Sequence, residues 1–422
     1  MDNLFLLVLF SFVVVTLTRH FVRSTNRSAS YPPGPKPWPI IGNALDIPST
    51  KAWEVYSSWC RSYGQDLVHV QVLGQHITIV NSREMARELF EKRSLIYSDR
   101  PYVPMIDLCV IKPFTLILVL NGHVRMGWLD NGFGSMAHTS PAFLPYGNTW
   151  RQHRRLFQEG FRDSDSVEEY LSVQFKKIQE LLVNLLNDPD NFRTHIRTLT
   201  GAIIMGIVYG HEVTSSDDYF LDLAEKANET LLTVSMSSAT IVNMFPFMRH
   251  LPGWLPGCGF QRMAREARGR ISDIVEKPYS LVIDQMACSN APGFKALELT
   301  PISELCGEDN EQELLTVKQV CAIAYAAGAD TTVSLLATFI LAMGAHPHVQ
   351  KKAQENIDNL LGGSRLPTWE DRSQLQYIDA IMQECLRWRP VSPLGLFHAA
   401  STDDIVNGFL IPKGTAVSAN IW

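Results

Sequence analysis

The chain has 422 residues, 46% hydrophobic and 19% charged, enough for one large core or two average domains. A net charge of -6 and a sequence pI near 6.1 give no basic surface for nucleic acid. The seven cysteines (60, 109, 258, 288, 306, 321 and 385) are scattered without a Cys-x-x-Cys, which argues against a disulfide framework or a zinc site and suits a reducing cytosol.

Residues 1–23 read as an N-terminal membrane anchor. Leu4 to Leu17 is apolar apart from Ser11 and Thr16, and Arg19, His20, Arg23 and Arg27 follow it. A cleaved signal peptide carries its positive charge before the apolar run. Charge after the run instead places the body in the cytosol. The run spans a bilayer if it extends to Val22 with Arg19 snorkelling. Asn26-Arg27-Ser28 and Asn228-Glu229-Thr230 match the glycosylation pattern, and a cytosolic body leaves both unused. Residues 24–43, with prolines at 32, 33, 35, 37 and 39, form a stiff hinge. The body follows as residues 44–422.

Trp53 to Tyr63 reads as a helix stopped by Gly64. Val68 to Leu73 and Ile77 to Val80 read as a hairpin around Gly74-Gln75. Asn81 or Ser82 caps a helix from Arg83 to Glu91. Residues 109–123 form an atypical insert with the run Phe114 to Leu120. That run is too short to span a bilayer. It reads as a β-prone strand, a substrate-facing insert, or translated intron, the last being preferred. Trp150-Arg151-Gln152-His153-Arg154-Arg155 opens a further helix, with Trp150 and Arg154 four apart on one face. Arginine suits forked recognition of a carboxylate; the alternative is a basic helix start in water. Val167 to Gly210 reads as helical with a break at Asn187-Asp188-Pro189. Phe220 to Met236 and Gly269 to Met286 read as helices, and Phe245 to Pro256 as a turn cluster whose apolar residues meet a membrane surface or an ordinary core.

Val317 to Met343 is a long apolar segment with one charge after Lys318, at Asp330. A helix apolar on nearly all sides belongs inside a large protein or in a membrane. Within it stands Ala326-Ala327-Gly328-Ala329-Asp330-Thr331-Thr332. Glycine costs about 1 kcal/mol in a helix, a buried acid needs a partner, and threonines loosen the ladder by bonding one turn back. The stretch therefore reads either as a helix opened around a polar pocket, with an acid and an alcohol placed to relay protons, or as a kinked core helix. Glu384 and Arg387, three apart in a helix from Leu375 to Trp388, are placed to pair. Asn407-Gly408 marks a hairpin between Ile405 and Leu410, and Ala416 to Ile421 reads as a strand.

The ordered set Trp-x-x-x-Arg, Ala-Gly-x-Asp-Thr-Thr and Glu-x-x-Arg resembles the cytochrome P450 superfamily of haem-thiolate monooxygenases. In detail it resembles fungal microsomal members of the O-methylsterigmatocystin oxidoreductase-like group. The resemblance implies a mainly α fold with a smaller β portion. It also implies a haem b cofactor, an NADPH-cytochrome P450 reductase as electron donor, a lipophilic substrate, and a single-pass protein of the endoplasmic reticulum membrane with a cytosolic body. Trp150 and Arg154 would hold a haem propionate. Asp330 and Thr331 would deliver protons, with Gly328 and Thr332 completing that motif, and Glu384 and Arg387 would lock the core. The family's Phe-x-x-Gly-x-Arg-x-Cys-x-Gly loop, whose thiolate ligates the iron, has no match in these 422 residues. Nor has the arginine that joins its Glu-x-x-Arg pair. The expectation is a P450 fold incomplete at its C-terminus. A catalytically incompetent, pseudogene-like product, at most a lipophile-binding membrane protein, is the alternative.

Overall fold

The computed structural model describes residues 29–109, 118–120, 123–125, 143–162, 164–235, 241–255, 257–288 and 311–422. The expected anchor and most of the 109–123 insert lie outside them. In chain order the elements begin with α1 (Ala52–Tyr63), β1 (Leu67–Val72), β2 (Gln75–Val80), α2 (Arg83–Arg87) and α3 (Pro104–Cys109). The short strands β3 (Leu118–Leu120) and β4 (His123–Arg125) come next, then α4 (Asn148–Arg162), α5 (Ser164–Asn187) and α6 (Phe192–Tyr209). After α7 (Tyr219–Ser235) and α8 (Phe260–Cys288) come α9 (Glu311–Ala345), α10 (Pro347–Leu361) and α11 (Gln376–Trp388). The chain closes with β5 (His398–Ala399), β6 (Asp404–Val406), β7 (Phe409–Ile411) and β8 (Ala416–Ala419). This is the mainly α architecture with a small β portion that the sequence suggests. Contacts gather the chain into two compact units: Met1–Asp99 with Phe397–Asn420, and Arg100–Leu396 with Ile421–Trp422.

The first unit is built on a sheet ordered β1-β2-β8-β5. β1 and β2 pair antiparallel from Leu67↔Val80 to Val72↔Gln75. β8 runs parallel to β2, Ile77 opposite Ala416. The hairpin turn puts Leu73 (φ 50) and Gly74 (φ 87) in the left-handed region, so β1 stops one residue short of the strand read from sequence. Asn407 (φ 51) and Gly408 (φ 81) make the same kind of turn between β6 and β7, as their dipeptide predicts. Ser82 caps α2, its Oγ accepting from the Met85 N–H at 3.2 Å. Leu67, Val80, Leu89, Tyr97, Ile411 and Val417 fill the core behind the sheet. Arg93 reaches both Asp404 oxygens at 3.0 and 2.9 Å, and the Tyr97 hydroxyl donates to the same carboxylate at 3.0 Å.

The proline-rich hinge is not a free spacer. The His69 N–H donates to the Pro33 carbonyl at 2.9 Å, Asn43 N–H to Gln71 at 2.6 Å, and Leu73 N–H to Ile41 at 3.3 Å. Tyr31 stacks on His69 with ring centroids 4.7 Å apart. Gly42 (φ +63) lies so close to β1 that a Cβ would sit 2.0 Å from the Gln71 carbonyl oxygen. Residues 31–43 thus cover the otherwise open edge of β1.

In the second unit α6 packs against both α5 and α9. The break between α5 and α6 falls at Asp188-Pro189, and Gly210 (φ 62) ends α6. Met205, Tyr209, Leu221, Ile271, Ile274 and Tyr325 belong to the main core, each large apolar side chain worth roughly 1.5–3 kcal/mol when fully buried. Met248, Leu251 and Leu255 of the turn cluster pack on this core, while Trp254 is 80% exposed. α8 begins nine residues before the stretch read from sequence, and α10 was not anticipated. Its start is set by His346-Pro347, which also stops α9.

Candidate functional site

The site rests on α4, α9 and α11. α9 runs unbroken from Glu311 to Ala345, so Ala326 to Thr332 does not interrupt the helix. Gly328 serves packing: a Cβ there would lie 2.8 Å from Cδ1 of Ile204 on α6. Thr331 bonds one turn back as expected, its hydroxyl donating to the Ala327 carbonyl at 2.8 Å. Asp330 is exposed, which corrects the expectation of a buried acid. The physical reason is a change in cover along the helix. Ala322, Ala324 and Tyr325 are buried in the core, whereas Ala327, Asp330, Thr331 and Thr332 form an exposed face. An exposed carboxylate keeps its hydration and needs no partner. Among the described residues α9 is also the one helix long and apolar enough to cross a membrane. Its first half packs into the main core through Ala322, Ala324 and Tyr325, while only 11% of its apolar window is buried.

On α4, Trp150 is half-buried with its ring 5.3 Å from that of Tyr146. Arg154, one turn on, is exposed and meets no ion-pair or hydrogen-bond partner among the described residues. An unengaged guanidinium suits a carboxylate ligand. Between them His153 faces the other way, only 1% exposed. Its Nδ1–H donates to the Thr149 carbonyl at 2.9 Å, and its Nε2 lies 3.1 Å from the side-chain amide of Gln319 on α9. This buried link joins the Arg154 helix to the Asp330 helix. Sequence reading passed over it, although a glutamine inside an apolar segment is the signal that exposes such a pair. Gln319 is eleven residues before Asp330, about 16 Å along the helix.

On α11, Arg387 holds Glu384 by two bonds, Nε at 2.7 Å and Nη2 at 2.5 Å. The Arg387 bonds pull the Glu384 carboxyl below its usual range. The pair is exposed, 70% and 60% by side chain. The opposite side of α11 buries Ile381 and Cys385 against Ala342 and Met343 of α9.

These positions can be set beside known proteins. The cytochrome P450 family model matches residues 32–123 and 119–422, the two pieces meeting inside the stretch set apart as an insert. Cytochrome P450 monooxygenase 208 of Postia placenta is 37% identical over 426 residues, covering 100% of this chain and 77% of that protein. Cytochrome P450 monooxygenase COX1 of Coprinopsis cinerea is 36% identical over 399 residues, 94% of this chain and 72% of its own length. The eriA monooxygenase of Hericium erinaceus is 37% identical over 400 residues, 94% and 70% respectively. This chain belongs to the cytochrome P450 family. The family implies a haem cofactor and monooxygenase chemistry. Trp150 with Arg154, and the open face of α9, fit two parts of a haem: its carboxylates and one face of its ring.

The third part, an axial thiolate, does not fit the described cysteines of this P450. A ligating sulfur needs surroundings that favour the thiolate. Burial instead pushes the thiols of Cys60 and Cys109 up to about 11 and that of Cys321 up to about 12. Cys385 is raised by burial and then by Glu384. Cys258, whose Gly-Cys-Gly setting superficially resembles the ligand loop, is 1% exposed inside the main core.

Proposed function

We propose that this P450 serves the insertion of one atom of O₂ into a lipophilic small molecule, in secondary metabolism or xenobiotic oxidation, with electrons from an NADPH-dependent reductase. The observation that carries it is the exposed acid–alcohol pair on α9, with Thr331 bonded to Ala327 and Asp330 beside it. Haem, when bound, supplies the oxygen chemistry. The chain's own residues do the rest. Arg154 and Trp150 hold a carboxylate at the α4 start. Because the Thr331 proton is committed to the Ala327 carbonyl, its oxygen offers an acceptor on the open side. Asp330, in contact with water, exchanges protons beside it. Glu384 and Arg387 offer a paired surface for a further partner. The apolar run at residues 4–17 with arginines behind it supports a single-pass anchor in the endoplasmic reticulum membrane and a cytosolic body.

A second reading has an observation of its own. Of the five free cysteines described, four are buried and Cys321 is half-buried, which supports the alternative of a lipophile-binding product without catalysis. A reduced carbon-monoxide difference spectrum with haem supplied separates the two. A thiolate-type band from residues 1–422 supports the enzyme reading, and its loss on substitution of one cysteine names the ligand. No band, with a band once further C-terminal sequence is added, assigns the thiolate to residues outside these 422. No band in either form leaves the second reading standing.

A further inference from the structure

Asn228 of α7 is 9% exposed, and its side-chain N–H donates to the Ala326 carbonyl of α9 at 3.2 Å. That carbonyl is also the helical acceptor for the Asp330 N–H. The next carbonyl, Ala327, is the one that takes the Thr331 hydroxyl. Two successive carbonyls, one turn ahead of the acid and the alcohol, thus each carry an added side-chain bond, one from within α9 and one from another helix. α7 is itself fixed at this level. The Arg270 guanidinium of α8 donates to Thr230 Oγ at 2.9 Å, and the Thr230 hydroxyl donates to the Lys226 carbonyl at 2.7 Å.

We propose that Asn228 is a positioning residue for the Asp330–Thr331 pair. By holding the Ala326 carbonyl it ties α7 to the turn of α9 that carries the pair and limits the opening of that turn, whose other face is uncovered. The same contact removes Asn228 from any glycosylation role, since its amide is spent inside the fold and Thr230 is 8% exposed. The proposal rests on the proton-handling reading of Asp330 and Thr331. Its test needs no haem, so the two fail separately.

The test is amide hydrogen exchange on the haem-free chain with Asn228→Leu, which keeps the volume, and Asn228→Asp, which keeps the shape and removes the donor. Loss of one hydrogen bond is expected to speed exchange at Asp330 and Thr331 about fivefold. The exchange of Val317 to Tyr325 stays as it was, and in Asn228→Leu the melting temperature falls by no more than a few degrees, the loss of one bond. Unchanged exchange at Asp330, or a rise shared equally along α9, would overturn the proposal. Should neither variant fold, the isotope-edited infrared spectrum of the unaltered protein decides. A doubly bonded Ala326 carbonyl absorbs below that of Ala324, and equal frequencies refute it.

Discussion

Arg93 with Asp404 in the first unit, and Arg387 with Glu384 in the second, are both arginine–carboxylate pairs with two bonds, the first from Nη1 alone and the second from Nε and Nη2. The first pair is 32% and 14% exposed, and Tyr97, Glu88 and the Ile405 carbonyl complete its shell. The second is 70% and 60% exposed and closes only on itself among the described residues. In the first, each removed partner strands a group that water does not reach freely; in the second, water replaces what is lost. The first pair is enclosed by its own unit, while the second stands in water.

Four measurements weigh the enclosed pair against the exposed one. Asp404→Leu is expected to cost about 3 kcal/mol in chemical denaturation, because Arg93 and the Tyr97 hydroxyl lose their shared acceptor. The second unit draws its strength from packing instead. Gly201→Ala would bring a Cβ 2.3 Å from Leu221 Cδ2, and a loss of roughly 1–3 kcal/mol is expected from the same assay.

The third is a pH titration of thermal stability. Burial, then the neighbouring His76, holds His69 down at about 3, against an ordinary value of 6.5. The folded chain keeps His69 neutral while the unfolded chain takes the proton first. Its contribution is therefore whole above about pH 6.5 and is lost as the pH falls toward 3. His69→Phe is expected to flatten that limb of the profile, and an unchanged slope would refute the assignment. The smallest effect belongs to Glu384→Gln, which should leave the melt of these 422 residues within error. A measurable loss would show that a third partner already encloses the pair.

Much of the fold was legible in the sequence because its signals are local. Gly64, Asp188-Pro189, Gly210, Asn407-Gly408 and His346-Pro347 punctuate the backbone by their own stereochemistry, and the observed boundaries fall at or beside them. The three motifs were legible as spacings, and the Glu384–Arg387 and Thr331–Ala327 bonds follow directly from helical geometry. What the spacing did not carry was cover. Whether Asp330 is buried depends on which elements lie over one face of α9, a matter of distant residues. The links His153–Gln319 and Asn228–Ala326 join positions 166 and 98 residues apart and have no periodic trace.

The strap over β1 bears on where the body can be severed from its leading apolar residues. A soluble version that starts at residue 44 would discard Tyr31, Pro33 and Ile41, stripping β1 of its covering bonds and uncovering His69. Such a protein offers a bare strand to its neighbours in concentrated solution and should precipitate. One that starts at Ala29 keeps the strand sheathed, so the useful cleavage point lies on the far side of the prolines.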